Sequence, residues 1–221
     1  MERSTRSRPG STPRVRRELR REEILGAAAE LFASRGFHGV SIDDIGAAVG
    51  MSGPGIYRHF PGKEAVLSDM LLHISQQLLD EGSRRAVAAP DAPAALDALL
   101  RWHIGFALSQ PALITVQSSE LANVPEPAQR QIRRLQRLYV EEWVTVLIEL
   151  FQDTSQARLR AAVLAMFGLL NSTPHSASEL TVGTMAGLLY TMAHAALTAA
   201  AVPFPDDAAP MPYDAAQGAD R

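Results

Sequence analysis

The sequence of 221 residues contains no cysteine. Disulfides, zinc–thiolate sites and thiol nucleophiles are therefore excluded, and the composition fits a cytoplasmic protein. No uninterrupted apolar run approaches the length that spans a bilayer. The N-terminal arginines have no apolar segment behind them, so they do not form a secretory signal. We therefore expect no membrane partner.

The sequence also lacks the patterns on which most catalytic sites depend. It has no metal-ligand spacing, no nucleophile elbow and no paired-carboxylate arrangement. The glycines at 50, 53 and 55 could suggest a nucleotide-binding loop, but such a loop needs a preceding strand, and none is indicated. We therefore expect no enzyme, no bound metal and no cofactor.

Positive charge is concentrated at one end of the chain. The first 21 residues contain eight arginines against two glutamates, whereas the whole chain has a net charge of −3, so the remainder carries −9. This asymmetry predicts a basic arm that binds polyanions, joined to an acidic body. A merely solubilising tail is the alternative.

Helical periodicity covers most of the chain, and no segment has the alternation of a strand. We expect helices from Val15 to Arg35 and from Ser41 to Gly50, a short third helix that ends near Phe60, and a long fourth helix to about Ala88. Further helical segments follow at about 94–109, 111–123, 126–152, 155–171 and 178–201. The Arg/Ser/Pro-rich start and the Pro-rich end are expected to be disordered. The fold class is all-α.

The stretch GMSGPGIYRHFPGK, residues 50–63, interrupts this pattern twice within fourteen residues. Ser41 is expected to cap the second helix, and Gly50 ends that helix after about two turns. Ser52 is expected to cap the third helix, with Pro54 in its first turn. Two short helices joined by a tight turn are typical of a helix-turn-helix motif.

The stretch SIDDIGAAVGMSGPGIYRHFPGKEAVL, residues 41–67, resembles the signature of TetR-family (AcrR-like) transcriptional regulators. The resemblance is close over roughly residues 17–70. It implies that Tyr57 and His59 contact DNA phosphates and that Lys63 contacts the DNA backbone. The first-turn amides of the second helix, with Ser41, are expected to hold a further phosphate.

The start of the third helix departs from many relatives, which carry polar or basic side chains there. Gly53, Pro54 and Gly55 offer no side-chain hydrogen bonds to bases, so direct readout must come from Ser52, Arg58, the arm, or backbone approach and DNA shape. Three arginines are suited to an adjacent minor groove. These are Arg14, Arg16 and Arg17.

The resemblance also implies that helices four to seven enclose a ligand cavity and that the last two helices pair across a twofold axis. Low-charge helices after Arg160 are compatible with such a homodimer. The candidate effector-binding residues are Trp102, His103, Phe106, Ile114, Gln117, Ser118, Leu121, Tyr139, Trp143, Leu147, Asn171 and His175. Their mainly apolar character suggests a lipophilic or acyl-type effector, and an acyl-CoA thioester is suggested by relatives.

The motif GLLNSTPHS, residues 168–176, places polar side chains inside an apolar helix. Asn171 and His175 could contact a polar ligand head, or the motif could only cap the helix end and line the dimer seam. Both interpretations remain open at this point, with capping preferred.

The sequence thus predicts four regions: a disordered basic arm (1–13), a helix-turn-helix domain (14–62), a ligand-binding and dimerisation domain (63–202) and a disordered tail (203–221). The expected function is that of a ligand-responsive regulator. It would bind palindromic double-stranded operator DNA as a homodimeric repressor and be released by a small-molecule effector. The alternative is a ligand-independent architectural DNA-binding protein, which would not require the large apolar C-terminal half.

Overall fold

The computed structural model describes residues 13–176 and 180–202, and about 81% of this part of the chain is helical. No strand occurs within these ranges, so the expected all-α class is confirmed. The α-helices are α1 (Pro13–Arg35), α2 (Ile42–Ala48), α3 (Gly53–Ile56), α4 (Lys63–Ala88), α5 (Ala92–Ser109), α6 (Pro111–Ser119), α7 (Glu126–Leu150), α8 (Gln156–Leu170), α9 (Thr173–Ser176) and α10 (Val182–Ala199). A 3-10 turn, Leu121–Asn123, follows α6.

Three helix ends differ from the expected ones. Helix α1 already includes Pro13, two residues before the expected start. Helix α3 ends at Ile56, and a turn continues to His59. The last helix begins only at Val182, where the Thr181 hydroxyl accepts the N–H of Thr184. The predicted tail at 203–221 and residues 1–12 of the predicted arm lie outside the described residues.

The N-terminal head is held together by apolar side chains from α1 to α4. Ile24, Phe32, Ile45, Ile56 and Phe60 are all at most 1% exposed. Ile24 and Phe32 lie on the long helix α1, Ile45 and Ile56 lie on the short helices α2 and α3, and Phe60 follows α3. The two short helices individually bury too little surface to be stable. Packing on α1 and α4 therefore fixes the position of α2 and α3.

The body is a bundle in which α4 packs against both α5 and α7. Helix α8 lies between α7 and α10, and α10 also packs on α5. Helix α6 lies against α1, so the body contacts the head through α6 as well as through the continuous helix α4. The buried residues of head and body form one contiguous core.

Candidate DNA-binding surface and effector cavity

The turn between α2 and α3 has the geometry that a helix-turn-helix motif needs. Gly50 has a φ of +66°, a left-handed conformation that residues with a side chain rarely adopt. Gly46 lies so close to the turn that a Cβ added there would lie 2.7 Å from the Met51 carbonyl oxygen. The two glycines allow α3 to start at Gly53, three residues after Gly50, and to pack on α2.

Five of the predicted DNA-binding residues line one open groove between α2, α3 and the start of α4: Ser41, Gly53, Pro54, Tyr57 and Lys63. Tyr57 is 57% exposed, and Pro54 is also exposed. Gly53 is buried, with the Asp43 carboxylate against it. Ser52 and Arg58 are exposed beside the groove, and Gly55 is half-buried.

Ser52 occupies the N-cap position of α3, but its side chain makes no capping hydrogen bond. The expectation that its hydroxyl caps the helix is therefore wrong. An exposed hydroxyl without a capping role can donate to, or accept from, another molecule.

Ser41 does cap α2, and it does so through a reciprocal pair with Asp44. Its hydroxyl accepts the Asp44 N–H at 3.1 Å, while its own N–H donates to the Asp44 carboxylate at 2.8 Å. Hydrogen bonds from Ser41 lower the pKa of Asp44. The Asp44 carboxylate is negatively charged, and the Ser41 and Asp44 N–H groups already have acceptors. Fewer N–H groups at this helix end are therefore free to bind the expected phosphate.

Lys63 is tied to the protein itself. Its ammonium donates to the carbonyl oxygens of Phe37 and Val40, both at 3.0 Å, and lies 4.3 Å from the centre of the Phe37 ring. The ammonium therefore holds the α1–α2 turn against the start of α4. An ammonium has three N–H groups, so one is left for a phosphate.

His59 is half-buried and is linked to α1 through Arg21. The Arg21 guanidinium donates to the His59 carbonyl oxygen at 2.6 Å, pairs with Asp69 at 2.9 Å and lies over the Phe60 ring. Burial lowers the pKa of His59, and four nearby arginines, including Arg17, lower it further. The imidazole is therefore neutral at pH 7, and any phosphate contact must use an N–H rather than a charge.

Arg14, Arg16 and Arg17 are exposed on the first two turns of α1. Arg14 pairs with Glu18 at 2.9 Å. These arginines are helical, as the predicted helix from Val15 to Arg35 requires for Arg16 and Arg17, and Arg14 lies one residue before its expected start. They project from α1, which packs on α2 and α4 within the head.

A cavity of about 190 Å³ lies in the body where α4, α5, α6, α7 and α8 meet. Four predicted effector-binding residues line it: His103, Gln117, Tyr139 and Asn171. The other lining residues are Ser75, Leu78, Gln136, Val140, Leu164 and Phe167. Leu164 is 55% exposed and marks the outer rim.

His103 is the centre of a buried polar chain in this cavity. Its Nε2 lies 3.2 Å from Asn171 Oδ1, which can only accept, so Nε2 carries the proton. Its Nδ1 then accepts from the Tyr139 hydroxyl at 3.3 Å. Burial lowers the pKa of His103 from 6.5 to about 4 and raises the pKa of Tyr139, so both side chains are neutral at pH 7.

Aromatic rings surround this chain. Phe167 lies 4.7 Å from the His103 ring and 5.5 Å from the Tyr139 ring, centre to centre. Trp143, which was predicted to contact the effector, packs edge-on against Phe167 behind the lining. The cavity therefore has an aromatic wall and an uncharged polar floor.

The other predicted effector-binding residues lie elsewhere. Trp102 and Phe106 line an open cleft of about 830 Å³ between α1, α4, α5 and α6, where Arg85 lies over the Trp102 ring. Three are packed or partly packed in the core, and two are exposed outside the cavity. The first group is Ile114, Leu121 and Leu147, and the second is Ser118 and His175.

In the GLLNSTPHS motif, Asn171 lies both at a helix end and in the cavity lining, and its contact with a ligand stays a prediction. It ends α8, and its side chain also reaches His103 in the cavity. Thr173 is buried and donates to the Ala107 carbonyl oxygen, which ties α9 to α5. His175 takes part in neither contact.

Sequence reasoning missed Ser75, Gln136 and Phe167 in the cavity and Arg21 in the head. Ser75 and Phe167 lie inside apolar helical stripes, so only the folded arrangement distinguishes them from ordinary core residues. A polar residue at a core position of α4 was the one available signal for Ser75.

Within residues 13–176 and 180–202, no group of histidine, aspartate and glutamate side chains could hold a metal ion. No helix in the same ranges is both long and apolar enough to cross a membrane.

Two family patterns match this sequence in the regions that form the head and the body. The pattern described as "Bacterial regulatory proteins, tetR family" matches residues 24–70. The pattern described as "Tetracyclin repressor-like, C-terminal domain" matches residues 89–175. The chain belongs to the TetR family.

Among characterised TetR-family relatives, the transcriptional repressor KstR2 of Rhodococcus jostii is 33% identical over 81 residues, 37% of this chain and 40% of KstR2. The transcriptional activator FasR of Mycolicibacterium smegmatis is 37% identical over 75 residues, 34% of this chain and 33% of FasR. The matched stretches thus span well under half of each relative.

Solved TetR-family structures share the fold over a longer range. A regulator from Bordetella parapertussis has a TM-score of 0.73 at 22% identity, covering 80% of this chain and 94% of that one. AibR in complex with isovaleryl coenzyme A and operator DNA has a TM-score of 0.66 at 20% identity, covering 78% and 97%. The match extends over head and body together.

The TetR-family body leaves one apolar face uncovered. Leu164 on α8 and Leu188 and Met192 on α10 each expose about half of their surface. Helices α8 and α10, which carry these side chains, pack against each other.

Proposed function

We propose that this protein is a transcriptional repressor that binds a palindromic operator as a homodimer and is released by a small lipophilic or acyl-type effector. It would act in the cytoplasm, where its DNA partner is. The observation that carries the proposal is the combination, in one chain, of an exposed helix-turn-helix surface with a separate internal cavity beside α4.

DNA binding is supported by the exposure of the short third helix and its flanks. Phosphate contacts are assigned to Tyr57, His59, Lys63 and Ser41. The adjacent minor groove is assigned to three arginines on α1, Arg14, Arg16 and Arg17. Base contacts are assigned to Ser52 and Arg58. Gly53, Pro54 and Gly55 offer no side-chain hydrogen bonds, so DNA shape contributes to the preference.

Dimer formation is supported by the apolar face on α8 and α10, since exposed apolar surface of this kind marks an interface with another protein. A second copy on that face would give the two α3 helices a fixed separation. Successive major grooves on one side of B-DNA lie roughly 34–36 Å apart.

Effector response is supported by the position of α4, which lines the cavity and begins at the head. A ligand that fits one tilt of α4 better than another shifts the balance between DNA-binding and released forms. A coupling of about 1–3 kcal/mol changes operator occupancy roughly 5- to 150-fold. The isovaleryl coenzyme A bound by AibR makes an acyl thioester a reasonable effector class to test.

Two points separate this proposal from its alternatives. A ligand-independent architectural protein would have no use for a cavity with a polar floor. An activator is the closer rival, because FasR carries that name and KstR2 is called a repressor. Repression is preferred because steric exclusion needs only operator binding.

The test is a selection of bound sequences from random double-stranded DNA. We expect an inverted repeat to be enriched, and we expect Arg58→Ala to relax the preference at one position in each half-site by about 1–3 kcal/mol. Arg137→Ala is the matched control, since it removes the same charge from an exposed position on α7. The proposal is contradicted if no sequence is enriched, or if only a single half-site without its inverted copy is enriched.

A further inference from the structure

One polar atom in the cavity has no partner. Ser75 is 2% exposed on α4, and its Oγ forms no hydrogen bond with any described part of the chain. Ser75 is also a lining residue of the cavity. A buried hydroxyl without a partner lowers stability, so its retention points to a partner that comes from outside the chain.

The residues that line the cavity carry no charged side chain. None of its ten lining residues is lysine, arginine, aspartate or glutamate. His103 is the single lining group that could become cationic, and both of its ring nitrogens are already engaged, by Tyr139 and Asn171. A carboxylate or an ammonium would lose its hydration there without gaining an opposite charge.

The volume limits the size of what enters. A cavity of about 150 Å³ with apolar walls holds a benzene ring. The 190 Å³ here therefore accommodates an aromatic ring, or a branched chain of similar volume, together with one or two further heavy atoms. The Phe167 and Tyr139 rings supply the apolar wall for such a group.

We propose that this cavity binds an uncharged apolar group that carries one neutral oxygen, and that this oxygen is hydrogen-bonded by the Ser75 hydroxyl. The proposal rests on the proposed function, since it names the chemistry of the effector at the same site. The oxygen belongs either to a small free molecule, such as an alcohol, or to the thioester carbonyl of a larger one. Free carboxylic acids in their ionised form are excluded from the cavity.

The location of Ser75 gives this contact a regulatory meaning. Ser75 lies on α4, twelve residues after Lys63, at which α4 begins and contacts the α1–α2 turn. A hydrogen bond at Ser75 therefore acts on the helix that carries the head. Contacts to the aromatic wall alone would act mainly on α7 and α8.

The test uses tryptophan fluorescence of the full chain without DNA. The sequence has two tryptophans, so Trp102→Phe leaves Trp143, which packs against the cavity wall, as the single reporter. This variant is titrated with benzyl alcohol, toluene and benzoate, which share a ring and differ in the oxygen and the charge. The same titrations are repeated with Ser75→Ala added, and with Ser68→Ala added as a control.

We expect benzyl alcohol to bind at least about tenfold more tightly than benzoate, because the cavity has no cation. Ser75→Ala should weaken benzyl alcohol about three- to tenfold and leave toluene unchanged, since one hydrogen bond is lost. Ser68→Ala should change neither, because Ser68 donates to the Glu64 carbonyl outside the cavity. Chemical denaturation should show that Ser75→Ala does not destabilise the free protein.

Isovaleryl coenzyme A distinguishes the two sources of the oxygen. Ser75-dependent binding of this thioester alone means that the buried end of a larger effector enters, and Ser75-dependent binding of benzyl alcohol alone means a free small molecule. Benzoate binding as tightly as benzyl alcohol overturns the proposal, and this comparison needs no Ser75 variant. Equal weakening of toluene and benzyl alcohol by Ser75→Ala also overturns it. The same holds if neither benzyl alcohol nor isovaleryl coenzyme A shows Ser75-dependent binding.

The outcome is separate from that of the proposed function, because no operator is present in these titrations. Suppose that a compound shows Ser75-dependent binding but does not release the protein from operator DNA. This result would support the cavity chemistry and contradict the proposed release by an effector. An enriched palindrome together with failed titrations would do the reverse.

Discussion

At the residue scale, His103 shows how burial and hydrogen bonding together set the chemistry of the cavity. The side chain is 3% exposed and is held between a phenol and an amide. Neither neighbour carries a charge that would stabilise an imidazolium. A neutral His103 keeps the cavity floor uncharged, and this state depends on pH.

The first prediction follows from the pKa of His103, which falls from 6.5 to about 4 on folding. Between these values the unfolded chain binds a proton that the folded chain does not, so stability decreases as pH falls through this window. We expect about 2 kcal/mol of this loss between pH 7 and pH 5. Urea denaturation at both pH values measures it.

His103→Gln should remove this part of the pH dependence, since glutamine does not titrate. His73→Gln, at an exposed position on α4, is the control for replacing a histidine by glutamine outside the cavity. Identical slopes for all three proteins would show that His103 does not titrate on unfolding in this range.

At the element scale, the helix-turn-helix depends on how closely α2 approaches the turn. Gly46 is buried, and a Cβ added there would lie 2.7 Å from the Met51 carbonyl oxygen. Gly26, on α1, is exposed and has no atom within 4 Å of the equivalent position. These two helical glycines therefore differ only in their surroundings.

The second prediction uses this pair. Gly46→Ala should destabilise the head by about 1–3 kcal/mol, because the carbonyl must move to admit the methyl group. Gly26→Ala should stabilise the protein by roughly 0.5–1 kcal/mol, because alanine is the better helix former. Thermal unfolding of both variants shows the two signs, and stabilisation by Gly46→Ala would mean that the turn relaxes without cost.

The same scale shows what the sequence could predict. The short helices at 42–48 and 53–56 follow from local signals, namely the Ser41 cap, the Gly50 break and Pro54. The residues that line the cavity could not be predicted in this way, because the cavity forms only where five helices meet. Trp102 and His103 were predicted together, yet consecutive helical residues point about 100° apart, so one faces the open cleft and the other the cavity.

Contacts between distant residues were likewise beyond local reasoning. The Phe37 and Val40 carbonyls that hold Lys63 are 26 and 23 residues away. Arg21 was grouped with the basic N-terminus, whereas Asp69 and Phe60 engage it between α1 and α4. The charge of an arginine alone does not show whether it pairs with another part of the protein or is exposed for a DNA contact.

At the scale of the whole molecule, large apolar side chains on α8 and α10 remain about half exposed. Leu188 and Met192 are one helical turn apart on α10, and both are 45% exposed. Leu138 on α7 has a similar exposure of 42%.

The third prediction concerns assembly. Leu188→Glu combined with Met192→Glu should convert a dimer into a monomer of 23.9 kDa, because two charges would be buried without partners. Leu138→Glu is the matched control and should remain dimeric. Light scattering after gel filtration measures both masses. A parent protein that is already monomeric at micromolar concentration contradicts the dimer.

Lys63 is the single lysine of the chain, and its ammonium is half-buried against two carbonyl oxygens. An acylating reagent directed at amines therefore has one side-chain target, which is shielded while these contacts hold. The terminal α-amine takes up one label in any case, so a second added mass on the intact protein would mark the molecules whose α1–α2 turn has opened. The rate at which Lys63 is labelled would therefore report how often this turn opens. Mass measurement of the intact protein would be enough to follow it.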